Sequence, residues 1–106
     1  MLNLRAEMLL RYLRTSPRVA GCAEMAESLE WTEELKRSPA DLRCVLFSGL
    51  LADLHFEFAE FQEMWLELEE AGLVRDGDLH SHTLLTFRFG PEAVNPKAGS
   101  AEREEG

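Results

Sequence analysis

Three groups of residues in this chain have the types and spacing for chemistry. His80-Ser81-His82, with Asp78 beside it, places two imidazoles two positions apart, and in a strand residues so spaced point the same way. No third and fourth ligands are spaced to close a metal site, so these are expected to be exposed polar residues of a hairpin loop. No metal or other cofactor is expected. Cys22 and Cys44 do not form a CxxC pair and are expected to be reduced core residues. For nucleophilic catalysis the chain has no glycine-rich phosphate loop, no nucleophile elbow and no cysteine beside a recognisable base. Ser48-Gly49 falls inside an expected helix rather than on a strained turn. The glutamates repeat at helical spacing, which a solvated face explains without acid–base work. An enzyme is not expected.

Charge sets the next constraint. The formal net charge is -9 over 106 residues, and a domain that acidic repels phosphate backbones unless a local basic patch overrides the mean. Residues 1–18 hold four arginines (Arg5, Arg11, Arg14 and Arg18) against Glu7, a net of +3. Residues 57–72 hold six glutamates and no cation, a net of -6. Any contact with nucleic acid or with an acidic partner would therefore use the four arginines. Hydrophobic residues make up 45% and charged residues 29%, a globular rather than a disordered composition. No apolar run approaches the roughly 18 residues of a bilayer span. The amphipathic start MLNLRAEMLLRYLR is not a signal peptide, so a cytoplasmic setting is expected.

The elements that position these groups follow from periodicity. The chain is expected to be mainly α with a small C-terminal β-hairpin, as one domain over residues 1–89. Helices are expected over 2–15 (Leu2, Leu9, Leu10 and Leu13 inward) and over 22–36 (Cys22, Met25, Ala26 and Leu29 inward, with a break near Trp31-Thr32). Ser38-Pro39-Ala40-Asp41 combines a cap, a proline at the first helical position and an acid three places on, so a helix is expected through Leu42, Val45, Leu46, Gly49, Leu50 and Asp53. Gly49 inside it suggests the close approach of another helix. Leu54, Phe58, Phe61, Trp65 and Leu68 mark a further helix, with Glu57, Glu60, Glu63, Glu67 and Glu70 on its other side and Gly72 as its left-handed stop. Leu73-Val74-Arg75 and Thr83–Phe89 read as two strands with a turn at Asp76-Gly77-Asp78. Residues 90–106 have no periodicity and read as a flexible acidic tail.

Leu50-Leu51-Ala52-Asp53-Leu54, the turn at His55-Phe56, core positions Phe61, Trp65 and Leu68, and the stretch Leu68-Glu69-Glu70-Ala71-Gly72-Leu73-Val74 resemble winged-helix transcription regulators. The resemblance covers residues 50–89. It implies a winged-helix-like fold of four helices plus wing: N-terminal helices in 1–37, a helix-turn-helix in 39–72 and a wing hairpin in 73–89. In regulators that read DNA, the front of the second helix carries groups that bond phosphates and base edges. Here that surface is Glu57, Phe58, Ala59, Glu60, Gln62, Glu63 and Leu66, a departure that disfavours DNA.

The expected function is accordingly a non-catalytic protein-binding module, a regulator or adaptor whose acidic helix meets a basic partner surface. Phe56, Phe58, Met64 and Leu66 cannot all face one core together with Phe61, Trp65 and Leu68, so part of this surplus is expected to be interface. The expected partner-binding residues are Glu57, Glu60, Glu63, Glu67, Phe58, Met64 and Leu66, and a homodimer is a natural version. One alternative is a dimeric DNA-binding transcription regulator acting through Arg5, Arg11, Arg14 and Arg18. A second is a small acidic phage-type inhibitor or DNA mimic, its glutamate ladder imitating phosphate spacing.

Overall fold

Asn3 opens the first helix of the chain, its side chain accepting from the Arg5 amide at 2.8 Å and so satisfying one of the donors a helix start leaves free. We describe the chain from a computed structural model covering residues 2–29 and 37–94. Helix α1 (Leu4–Thr15) buries Ala6, Leu9 and Leu13, one stripe at helical spacing. It stops at Ser16, whose extended backbone (ψ 133°) is what a residue before proline adopts. Strand β1 (Ala20–Gly21) and helix α2 (Cys22–Leu29) follow; the expected break near Trp31-Thr32 lies outside the described residues.

After the turn at Ser38–Asp41 the chain departs from expectation. Arg43–Leu46 is a strand, β2, and helix α3 (Phe47–Leu54) begins only after it. β2 is an interior strand, paired antiparallel with β1 (Ala20↔Cys44) and with β4 (Val45↔Leu85). Helix α4 (Phe58–Glu70), strand β3 (Val74–His80), strand β4 (Leu84–Phe89) and a single helical turn, α5 (Pro91–Val94), complete the order. The sheet runs β1-β2-β4-β3, antiparallel throughout. The fold is therefore α+β with a four-stranded antiparallel sheet, not a mainly α domain with a small hairpin, and the expectation of four helices plus a wing is corrected. The physical reason lies in Cys44-Val45-Leu46: an apolar run this short has no period that separates helix from strand. Pairing on both edges decides it.

Each face of the sheet has its own core. Val45, Leu85 and Phe87 pack with Leu9, Leu13, Leu50, Phe61 and Leu68 from α1, α3 and α4. On the other face, Cys44 and Leu84 pack with Cys22, flanked by Met25, Leu42 and Leu46. Leu68 is fully buried; its truncation to alanine would cost about 2–5 kcal/mol.

Two turns fix where α4 lies. α3 ends at His55 in the left-handed region (φ 56°), with the His55 amide on Ala52 O at 3.3 Å and the Phe56 amide on Leu51 O at 3.1 Å. α4 ends the same way at Gly72 (φ 76°), with the Gly72 amide on Glu69 O and the Leu73 amide on Leu68 O, both at 3.0 Å. The hairpin does not turn at Asp76-Gly77-Asp78. Those residues form a bulge within β3, between Arg75 and Asp78, with Asp76 at φ 56°. The reversal comes at Ser81 and His82 (φ 53° and 56°), closed by the Thr83 amide on His80 O at 2.9 Å.

Candidate partner-binding groove

The sequence of α4 gives it three faces. Phe61, Met64, Trp65 and Leu68 point into the core. Met64, expected at the partner surface, is only 8% exposed and packs in the core, and it does not line the groove described below. A second face meets α1: Arg5 forms an ion pair with Glu60, and the Asn3 amide donates to Glu67 Oε2 at 2.8 Å. Arg5 Nε makes no aligned hydrogen bond, so its contact with Glu60 is electrostatic, and its guanidinium also lies 4.8 Å from the centre of the Phe56 ring. Glu60 and Glu67 thus serve the α1–α4 contact. Glu57 and Glu63 stay exposed. The acidic ladder is not one open surface.

The third face carries Phe58 and Leu66, which are 40% and 53% exposed. Opposite them stands the bulged strand β3. Phe58, Gln62, Trp65, Leu66 and Glu69 from α4, with Gly77, Asp78 and Leu79 from β3, line a groove of about 370 Å³ floored by Phe61 and Leu85. Its walls are apolar, its two ionisable lining residues are Glu69 and Asp78, and no cation lines it among the described residues. Glu69 Oε2 accepts from Trp65 Nε1 at 3.1 Å, which fixes the indole as the groove wall.

The groove is joined to the core by a chain of rings. Phe58 meets Phe47 edge-on at 5.8 Å between centroids, Phe47 meets Phe61 at 4.8 Å, and Phe61 stacks with Trp65 at 5.6 Å. Trp65 meets Phe87 edge-on at 5.6 Å. Such pairs add about 0.5–1.5 kcal/mol each beyond their buried area, so they tie the floor of the groove to the core. At its mouth the His82 ring lies 5.8 Å from Phe58.

The remaining expected site residues are dispersed. Arg18 Nε donates to Asp53 Oδ2 at 2.7 Å, and Tyr12 Oη donates to the same oxygen at 2.7 Å. Arg11 and Arg14 are exposed on α1. Arg5 and Arg18 are thus held by carboxylates of this chain, and the four arginines do not make one open basic strip. His80 Nε2 lies 2.9 Å from Thr86 Oγ1, while His82 sits in the turn against Phe58. The two imidazoles do not converge.

A larger cleft, about 730 Å³, lies elsewhere on the sheet, bordered by Asp41, Arg43, Arg75 and Phe89. Its surroundings are ionic: Arg88 bridges Asp41 and Asp76, each at 3.1 Å, and Arg75 reaches Asp76 at 3.2 Å. The exposed Phe58 and Leu66 lie on the smaller groove, which makes it the stronger candidate for binding.

Phe58 and Leu66 were legible from the surplus of large apolar residues on one helix. The β3 wall was not, because Asp-Gly-Asp reads as a turn. The available signal was the polar cluster His80–Thr83, a second turn candidate, with Leu79 before it.

No family model, curated protein or solved structure matches the chain. Among the described residues no helix is long and apolar enough to cross a membrane.

Proposed function

We propose that the chain is a non-catalytic protein-binding module that takes a basic segment with apolar anchors into the groove between α4 and the β3–β4 hairpin. The observation that carries this reading is the placement of the exposed Phe58 and Leu66 on an apolar groove whose ionisable lining is Glu69 and Asp78. Aromatic and aliphatic side chains beside a well-packed pocket are what an interface anchor needs. Acidic groups beside it favour a cationic partner and speed its approach. The exposed Glu57 and Glu63 extend that field along α4.

The resemblance of residues 50–89 to winged-helix regulators suggests an adaptor or regulator in transcription or another nucleic-acid process. That setting rests on the resemblance alone. The two free cysteines fit a reducing compartment such as the cytoplasm.

The test is a fluorescence titration of the full chain with a synthetic helical peptide bearing leucine anchors and lysines. Trp31→Phe isolates the Trp65 signal, since the chain holds two tryptophans. Saturable change in emission is expected, weakening with salt and falling at least tenfold in affinity for Leu66→Asp. Equal binding of a peptide with glutamates in place of the lysines, or unchanged affinity in Leu66→Asp, would sink the reading.

A further inference from the structure

We propose that Cys22 and Cys44 are a redox-active dithiol, oxidised by small disulfides such as oxidised glutathione to a bond within the chain. This site lies on the opposite side of the sheet from the groove's core and does not depend on the proposed binding function.

Local structure brings the two thiols together. β1 pairs Ala20 with Cys44, and the Cys22 amide donates to Leu42 O at 3.0 Å, which folds the start of α2 back over β2. Both cysteines are free, both are buried, and with Leu84 they form one small cluster. Two features separate this pair from inert core thiols. Cys22 borders an opening of about 340 Å³, shared with Gly21, Pro39, Ala40 and Arg43, so it lies at a cleft wall rather than at the domain centre. Arg43, which also lines that opening, has its Nε buried without a hydrogen-bond partner.

The pair is also asymmetric. The neighbouring Cys44 thiol first, then the positive charges of Arg43 and Arg88, hold the Cys22 thiol below its ordinary range against the effect of burial. The same contact and burial push the Cys44 thiol up. Cys22 borders the opening and Cys44 does not, so Cys22 is the attacking sulfur and Cys44 the resolving one.

The exchange balances as follows. The Cys22 thiolate attacks one sulfur of oxidised glutathione, a protein–glutathione disulfide forms, and one glutathione thiolate leaves. Cys44 gives up its proton to that thiolate and attacks Cys22 Sγ, and the second glutathione leaves as a thiolate that takes a proton from water. The protein loses two electrons and two hydrogens, and one oxidised glutathione becomes two reduced ones. The product links the start of α2 to the interior strand β2.

The experiment incubates the native full chain with oxidised glutathione, quenches with acid, then unfolds and alkylates it for intact mass measurement. The expected product is lighter by two hydrogens and takes up no alkylating agent. Trypsin cuts after Lys36 and Arg43, so the bond is read directly in the natural chain as a joined pair of peptides. Cys44→Ser is expected to retain one glutathione on Cys22, and Cys22→Ser to stay unmodified. Both cysteines remaining fully alkylated in the native chain, while the urea-unfolded chain oxidises, would overturn the proposal. Equal glutathione uptake by the two variants would overturn the assigned order of attack.

Discussion

Gly77 lies so close to the indole of Trp65 that a Cβ at this position would stand 2.7 Å from both Cζ2 and Nε1. The β3 bulge lays its backbone directly on the ring, which makes hairpin and helix one unit. The ring has little freedom to yield, because Phe61 stacks on it, Phe87 meets it edge-on and Glu69 holds its Nε1. Gly77→Ala is therefore expected to lower stability by about 1–3 kcal/mol, the usual cost of overpacking. Urea unfolding followed by tryptophan emission measures it, and emission of the folded variant should differ from that of the natural protein. A variant of unchanged stability and emission would show that the hairpin does not rest on Trp65.

Gly49 gives the opposite prediction. The helix was expected to carry a glycine there for the close approach of another helix. Its neighbour is instead the Arg18 side chain, with Cδ at 3.5 Å from the position of an added Cβ. That is ordinary contact with a flexible group, so Gly49→Ala should stabilise the protein by about 0.5–1 kcal/mol through helix propensity. A loss of stability in urea would mean that Arg18 is held there too tightly to move.

The contrast between these glycines shows what the sequence made legible. α1 and the end of α4 at Gly72 could be read because each carries its own local signals: a repeating apolar stripe in one, a left-handed stop in the other. β2 could not, because Cys44 and Val45 owe their strand geometry to β1 and β4, which lie far away in the chain. Ser38-Pro39 offered a helix start that the pairing of residues 43–46 overrode. The groove was legible on its α4 side, where Phe58 and Leu66 exceed what one core can hold. Its other wall required the register of β3, and a bulge shifts that register without any apolar signal of its own.

Asp53 makes a pH-dependent prediction. The hydrogen bond from Tyr12 first, and then the charge and hydrogen bond of Arg18, hold its carboxyl below the usual range. A carboxylate depressed in the folded state adds stability that is fully present above its unfolded value of about 3.9 and is lost as pH falls through the folded value. Its contribution therefore disappears only in acid. Tyr12→Phe should raise the Asp53 value towards the ordinary one, as read from the carboxyl carbon in an NMR titration. No movement would mean that Arg18, and not Tyr12, sets it.

The arginines lead to the last prediction. Winged-helix regulators that read DNA need free cations, and an acidic chain needs them more than most, because each unpaired carboxylate near a phosphate opposes counterion release. Here Arg5 is held by Glu60, Arg18 by Asp53, and Arg88 by Asp41 and Asp76. A cation already paired within the protein contributes little to a phosphate contact, since its carboxylate approaches the duplex with it. Arg11 and Arg14 are exposed on α1, but two exposed side chains do not offset a net charge of -9. Fluorescence anisotropy with mixed-sequence duplex DNA is therefore expected to show no binding even at low salt. Saturable binding that weakens steeply with added salt, and that is lost in Arg11→Glu with Arg14→Glu, would instead establish α1 as a nucleic-acid surface. The regulator function would then displace the protein-binding one.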